Sequence, residues 1–170
     1  MRDLINLVEN LLPTLYHGSR VEFAVGDTLS PQDDGYVTYS DADEQHHMLE
    51  RAMEKYRPSH CVSRFKAVFL IADPEDIDNA GGYNDHVYEC EPLGPVTKCN
   101  LHWYSEAYML CEHEVLSAQE AADQGMDHYA EYGEDPELKE YCLNYWNGVP
   151  SGPSDLYEYL TPGARVVKIV

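Results

Sequence analysis

Residues 14–20 are Thr14-Leu15-Tyr16-His17-Gly18-Ser19-Arg20. Leu15 and Tyr16 suit a buried β-strand, because apolar and aromatic side chains pack well on a pleated surface. Gly18 lets a ligand or a neighbouring backbone approach where any side chain would block it. His17 has two ring nitrogens that can hold hydroxyl groups in a fixed direction. The stretch predicts a strand end that presents a histidine and a bare backbone to a cleft, although a simple turn fits the same residues.

The rest of the chain has the composition of one globular domain with a large negative charge. Its 170 residues are 44% hydrophobic, which is ordinary for a single domain of that length. The 31 Asp and Glu residues outnumber the 11 Lys and Arg residues, for a formal charge of −20. Such a field repels nucleic acids and anionic membranes and attracts basic surfaces. We therefore expect no direct binding to nucleic acid or membrane, and a charge that either attracts a basic protein or only favours solubility.

The cysteines and the N-terminal residues favour a cytoplasmic protein. The chain has 5 cysteines, an odd number without the spacing of a disulfide framework. The first apolar stretch is short and is interrupted by polar residues, unlike a secretory signal. No apolar run approaches the length of a membrane span.

The pattern of apolar residues predicts short strands mixed with helices, without a repeat or a linker. Periodicity and turn-forming residues set the boundaries of these segments. We expect helices at 2–12, at 40–56, at 105–132 with an interruption at Gly125, and from Pro136 to Gly148, and strands at 36–39, 65–72, 86–91, 156–160 and 165–170. This mixture predicts a single α+β domain over residues 1–170.

One group of soft ligands is a weak candidate for a metal site. Cys99 and His102, followed by Cys111 and His113, contain the sulfur and nitrogen ligands that zinc prefers. The spacing from Cys111 to His113 is tight, however, and the segment runs into a predicted helix. We expect buried free thiols here and no metal.

Three stretches together resemble the ADP-ribosyltransferase superfamily, in its diphtheria-toxin-like and poly(ADP-ribose)-polymerase-like branch. That branch has a His-Tyr-Glu triad on three separate strands. The similar stretches are Tyr16 to Arg20, Ala67 to Asp73, and Leu156 to Leu160 with Ala164 to Val166. The segment from Val87 to Pro95 also resembles the rifampin ADP-ribosyltransferases. The resemblance implies a split β-sheet core with flanking helices, and a reaction that transfers one ADP-ribose unit from NAD to an acceptor and releases nicotinamide.

The resemblance also implies roles for residues of the first stretch. His17 corresponds to the histidine that holds a ribose hydroxyl of NAD, and Gly18 to the glycine whose backbone pairs with the nicotinamide carboxamide. Ser19 and Arg20 then lie on the ribose and phosphate side, where a guanidinium suits a pyrophosphate.

In the later stretches the resemblance assigns a stacking ring and a carboxylate. Phe69 stands where the family has the tyrosine that stacks on nicotinamide; it keeps the ring and lacks the hydroxyl. Tyr83 is placed as a second stacking residue. Glu158 corresponds to the glutamate that binds the ribose 2′-hydroxyl and stabilises positive charge as the glycosidic bond breaks. The acid of the rifampin enzymes is absent around Lys98, which favours Glu158 as the third residue.

Several functions remain open within this interpretation. The first is a mono-ADP-ribosyltransferase, of the kind used as an effector, acting on a small molecule or on a protein with a basic surface. A non-catalytic acidic inhibitor or nucleic-acid mimic on the same fold is an alternative from a different class. Simple NAD glycohydrolysis, with water as the acceptor, is a third. An RNA 2′-phosphotransferase is disfavoured by the scarcity of basic residues.

Overall fold

The structure is a computed structural model that describes residues 12–31, 44–123 and 135–170. The expected helix at 2–12, apart from its last residue, the expected strand at 36–39 and the interruption at Gly125 lie outside these ranges. The helices are α1 (Glu44–Lys55), α2 (Leu101–Asp123) and α3 (Pro136–Trp146), and the strands are β1 (Leu15–Ser19), β2 (Thr28–Leu29), β3 (Val68–Ile71), β4 (His86–Pro92), β5 (Thr97–Asn100), β6 (Tyr157–Thr161) and β7 (Ala164–Ile169).

The strands form one antiparallel sheet of 7 strands in the order β2-β7-β4-β1-β3-β6-β5. Strands β1, β3 and β6, which contain the first two predicted motifs and the first part of the third, are therefore consecutive neighbours in the sheet. The second part of the third motif, Ala164 to Val166, lies in β7 between β2 and β4. The expected α+β class is confirmed. The finer expectation of an ADP-ribosyltransferase-like split sheet stays a prediction.

Two hydrophobic cores lie on opposite faces of the sheet. The first core joins the three helices to β5 and β6, and Phe69 of β3 packs against it. The second core contains the alternate residues of β3 and β6, including Leu70 and Tyr159, together with Leu15 of β1 and Tyr88 of β4. Because successive residues of a strand point to opposite faces, membership in one core or the other shows which face each residue takes.

Helix α3 begins and ends where the sequence predicts. The side chain of Asp135 accepts hydrogen bonds from the backbone N–H groups of Glu137 and Leu138, each at 2.9 Å. Pro136 occupies the first helical position, where its missing N–H costs nothing. At the other end Gly148 has a φ of +58°, which L side chains adopt rarely.

Helix α2 starts earlier than predicted, so the boundary at Ser105 is wrong. The preceding strand β5 has only 4 residues and was not predicted. Its last residue, Asn100, accepts a hydrogen bond from the backbone N–H of His102 at 3.0 Å and donates to the carbonyl of Val149 at 2.8 Å. Asn100 thus lies at the end of β5, accepts a hydrogen bond from the first turn of α2 and binds the loop after α3.

The predicted strand at 65–72 is also shorter in the structure. Arg64–Lys66 form a 3-10 turn, and β3 begins at Val68. The turn directs the side chain of Arg64 into the interior, where only 3% of its surface is exposed. This buried arginine is the centre of a cluster of charged and phenolic side chains.

Candidate functional site

His17 lies at the junction of β1 and β3. Its Nδ1 is 3.0 Å from the carbonyl oxygen of Phe69, so Nδ1 carries the proton and donates. Burial lowers the pKa of the imidazole, more than this hydrogen bond raises it. His17 is therefore neutral near pH 7, and its Nε2 is an acceptor.

Strands β1 and β3 are paired over a short distance only. Tyr16 opposite Ile71 is the one pair that registers β1 with β3 in the described part of the chain, whereas β1 stays paired with β4 as far as Ser19. The imidazole of His17 bonds to β3 just beyond this registered pair. We call this place, where Gly18 and Phe69 are not paired in the sheet, the β1–β3 opening.

The backbone of Gly18 faces the β1–β3 opening. The N–H of Val170 donates to the carbonyl of Val87 at 2.9 Å, so Val87 directs its polar groups to β7. Gly18 is opposite Val87, and opposed residues of an antiparallel pair exchange both hydrogen bonds or neither. The N–H and C=O of Gly18 consequently point away from β4, towards β3.

Glycine is required at position 18 by the neighbouring loop. A Cβ atom here would lie 2.2 Å from the carbonyl oxygen of Tyr83 and 2.5 Å from Cγ2 of Ile77. The chain after β3 thus crosses directly over β1. The close approach that the sequence predicted is made by backbone.

The remaining residues of the first motif are at the surface. Ser19 Oγ accepts a hydrogen bond from the N–H of Val21 at 2.9 Å. The guanidinium of Arg20 lies 3.9 Å from the centre of the Tyr83 ring, a cation–π contact. The ring of Tyr83 therefore positions the exposed guanidinium of Arg20. The backbone of Tyr83 in turn lies against Gly18 at the β1–β3 opening.

Phe69 and Glu158 face the helices. Phe69 is partly buried and packs against the first core. Glu158 is 4% exposed, and its Oε1 accepts hydrogen bonds from Tyr145 at 2.6 Å and from Arg64. One oxygen of its carboxylate is thus held by both an arginine and a tyrosine.

Arg64 joins two buried carboxylates in one cluster. Its Nε donates to both carboxylate oxygens of Glu50, at 3.1 and 2.9 Å, and its Nη1 donates to Glu158 and to Tyr145 Oη. Tyr104 donates to Glu50 at 2.8 Å. Burial opposes the charge of Arg64, but the carboxylates of Glu158 and Glu50 outweigh it and hold its pKa well above the usual value. We call Glu50, Arg64, Tyr104, Tyr145 and Glu158 the Arg64 cluster.

The structure brings some of the predicted site residues together and separates others. Glu158 is opposite Ile71, and Ile71 is opposite Tyr16, so Glu158 shares its face with Tyr16, and Phe69 and Gly18 share that face by alternation. His17 leaves the sheet on the other face, opposite Tyr88 of the second core. His17 and Glu158 are therefore on opposite faces with β3 between them, and they approach each other only through the β1–β3 opening.

Sequence reasoning missed Glu50, Arg64, Tyr104 and Tyr145. These residues belong to four separate segments, and no spacing along the chain links them. A basic residue in front of an apolar strand normally indicates a solvated strand end. Only the tertiary structure shows that Arg64 is buried.

The thiols of the described residues have no sign of activation. All 5 cysteines are buried as thiols. Burial raises the pKa of Cys90 to about 11 and that of Cys142 to about 12, so these thiols stay protonated at neutral pH. Within residues 12–31, 44–123 and 135–170, no group of 3 or more His, Cys, Asp or Glu side chains could hold a metal ion. None of the described helices is long and apolar enough to cross a membrane.

The lowered pKa of His17 predicts a loss of stability in mild acid. The unfolded chain binds a proton near pH 6.5 and the folded protein only at lower pH, so stability falls as the pH decreases through that interval. Urea unfolding at a series of pH values should show this slope in the wild type and a smaller slope in His17→Gln. Equal slopes in the wild type and in His17→Gln would contradict the assignment. The control variant is His102→Gln, because His102 is exposed.

Comparisons with models of protein families, with curated proteins and with solved structures found no match to this chain. The proposal for the function therefore rests on the geometry of the site and on the resemblance of the motif stretches.

Proposed function

We propose that this chain is an NAD-dependent mono-ADP-ribosyltransferase whose dinucleotide site lies at the β1–β3 opening. The observation that carries the proposal is the adjacency of β1, β3 and β6 in the sheet. These strands contain the first two stretches that resemble the superfamily and the first part of the third, and they are far apart along the chain; the second part of the third stretch, Ala164 to Val166, lies in β7. Their adjacency was not used to identify the stretches, so it supports the interpretation independently.

Groups that suit the nicotinamide half of NAD lie on the two faces of the sheet at the β1–β3 opening. The N–H and C=O of Gly18 face it and match the acceptor and the donor of a carboxamide. The neutral imidazole of His17 donates through Nδ1 to Phe69, so Nε2 is the nitrogen that would accept a ribose hydroxyl. The partly buried ring of Phe69 offers an aromatic surface for stacking.

Glu158 contributes to the cleavage of NAD through the negative charge of the Arg64 cluster. Two carboxylates and one guanidinium give the Arg64 cluster a formal charge of −1, in a buried position beside Phe69. Cleavage of the glycosidic bond of NAD makes the ribose carbon positively charged, and buried negative charge stabilises such a transition state. Direct contact between Glu158 and the ribose requires the displacement of Arg64.

The acceptor is a protein with a basic surface. The formal charge of −20 favours encounter with positively charged partners and disfavours nucleic acid. Once nicotinamide has left, the acceptor attacks the ribose carbon and loses a proton, so that one ADP-ribose unit is transferred.

A second candidate function is a non-catalytic acidic inhibitor. It is favoured by one observation: Glu158 is held by Arg64 and Tyr145 with only 4% of its surface exposed. A carboxylate enclosed in this way suits a structural role. The inhibitor would then bind its basic partner through the formal charge of −20, without catalysis.

Binding and turnover of NAD distinguish these functions. We expect carba-NAD, whose glycosidic bond cannot be hydrolysed, to bind the wild type, and to bind His17→Ala about tenfold more weakly because one hydrogen bond is lost. Glu158→Gln should retain binding and lower nicotinamide release by about 10²–10³-fold, because it removes the charge. His102→Ala and Glu91→Gln, both exposed, are matched controls that should change neither quantity.

The outcomes separate the alternatives. Transfer of label from adenine-labelled NAD to a basic protein supports the transferase, whereas nicotinamide release without labelling indicates a glycohydrolase. Absence of carba-NAD binding overturns the proposal and leaves the acidic inhibitor.

A further inference from the structure

The guanidinium of Arg64 occupies an aromatic cage inside the protein. The centres of three rings lie close to its central carbon: Phe69 at 5.0 Å, Tyr104 at 4.5 Å and Tyr145 at 5.4 Å. All three distances are within the range of cation–π attraction. The rings come from β3, α2 and α3, so the cage is assembled from three separate elements.

Two carboxylates complete the cage. Glu50 accepts from Nε and Glu158 from Nη1 of the guanidinium. Rings on several sides with acidic groups at the edge are the arrangement by which proteins bind organic cations. Here the cation is a side chain of the protein itself.

The cage adjoins the β1–β3 opening through Phe69. The carbonyl of Phe69 receives the hydrogen bond of His17 at this opening, while its ring lies beside Arg64. A ligand at the β1–β3 opening is therefore separated from the cage by one partly buried ring. The nicotinamide ring of NAD is a planar cation, as is a guanidinium.

We propose that this cage is a binding site for a planar organic cation, and that Arg64 occupies it when no ligand is bound. Arg64 is thus a built-in competitor, and a bound cation gains access to Glu50 and Glu158 only by displacing it. The choice of the nicotinamide ring as that cation rests on the proposed function. The cage itself rests on the three rings and the two carboxylates alone.

The cage is tested in Arg64→Ala with two pairs of probes that differ in charge. Methylguanidinium and methylurea have nearly the same shape, as do N1-methylnicotinamide and nicotinamide. By calorimetric titration at millimolar concentrations, each cation should bind the variant about tenfold more tightly than its neutral partner. The wild type should bind both cations about tenfold more weakly than the variant, because Arg64 competes.

Each outcome decides one part of the proposal. Equal binding of methylguanidinium and methylurea to the variant, or no binding of either, overturns the cage. Preference for methylguanidinium without preference for N1-methylnicotinamide retains the cage and overturns the nicotinamide ring as its ligand. Binding of carba-NAD to the wild type tests the proposed function separately.

A measurement on the wild type covers the case in which Arg64→Ala does not fold. The Nε–H of Arg64 is buried and bonded to Glu50, so it should exchange slowly with solvent in NMR experiments. Saturation with N1-methylnicotinamide should accelerate this exchange about tenfold if the ligand displaces Arg64. An unchanged exchange rate overturns the displacement.

Discussion

Replacement of Arg64 by methionine is expected to lower the free energy of unfolding by about 3–5 kcal/mol. Methionine retains much of the volume but removes the charge, which leaves the carboxylates of Glu50 and Glu158 buried together without a cation. Glu50 is 1% exposed and Glu158 is 4% exposed, so water cannot replace the guanidinium. Urea unfolding monitored by tryptophan fluorescence measures the effect, because Trp146 lies in the first core.

The control for this prediction is an arginine at the surface. Arg165 pairs with Glu91, and about half of each side chain is exposed, so Arg165→Met should cost less than about 1 kcal/mol. Addition of Glu50→Gln and Glu158→Gln to Arg64→Met should recover part of the loss, because the uncompensated charges are then gone. A cost for Arg64→Met no larger than that for Arg165→Met would show that the cluster is not a buried ion-pair network.

Replacement of Gly18 by alanine should destabilise the protein by about 1–3 kcal/mol, the usual cost of overpacking. The new methyl group would lie 2.2 Å from the carbonyl oxygen of Tyr83. That oxygen belongs to the backbone and cannot rotate away, so the loop from Ile77 to Tyr83 must move. Amide hydrogen exchange should show the loss of protection in this loop, and under the proposed function carba-NAD should bind more weakly.

Gly152 provides the matched control for Gly18. A Cβ atom there would meet nothing within 4 Å, and its φ lies outside the left-handed region. Gly152→Ala should therefore change stability by no more than about 0.5 kcal/mol. If Gly18→Ala proves as harmless as Gly152→Ala, the loop from Ile77 to Tyr83 does not pack directly on β1.

Local sequence signals predicted most of the elements that surround the site. Asp135 and Pro136 marked the start of α3, and the apolar run before Asp73 marked β3, because capping and hydrophobic patterning act over a few residues. Strand β5 was missed since it is short and its residues alternate without a clear apolar pattern. Its end at Asn100 depends on a hydrogen bond to Val149, which lies far along the chain.

The arrangement of the site depends on the order and the register of the strands, which local sequence patterns do not show. The three motif stretches predicted a triad on three separate strands but not the order of those strands in the sheet. Which face a residue takes depends on the register between strands, and a shift of one residue reverses it. For this reason the sequence could not show that His17 and Glu158 leave the sheet on opposite faces, or that Arg64 would bind Glu158.

The Arg64 cluster also has a consequence for the order in which the protein folds. Its members come from α1, the 3-10 turn, α2, α3 and β6, and Arg64 and Glu158 are separated by 94 positions along the chain. Contacts between such distant residues form only after the intervening chain has closed into a loop, which costs entropy. We expect the charges of Arg64, Glu50 and Glu158 to remain hydrated in the folding transition state and to be sealed from water afterwards. The cluster then acts mainly as a barrier to unfolding, which retains the native state once it has formed.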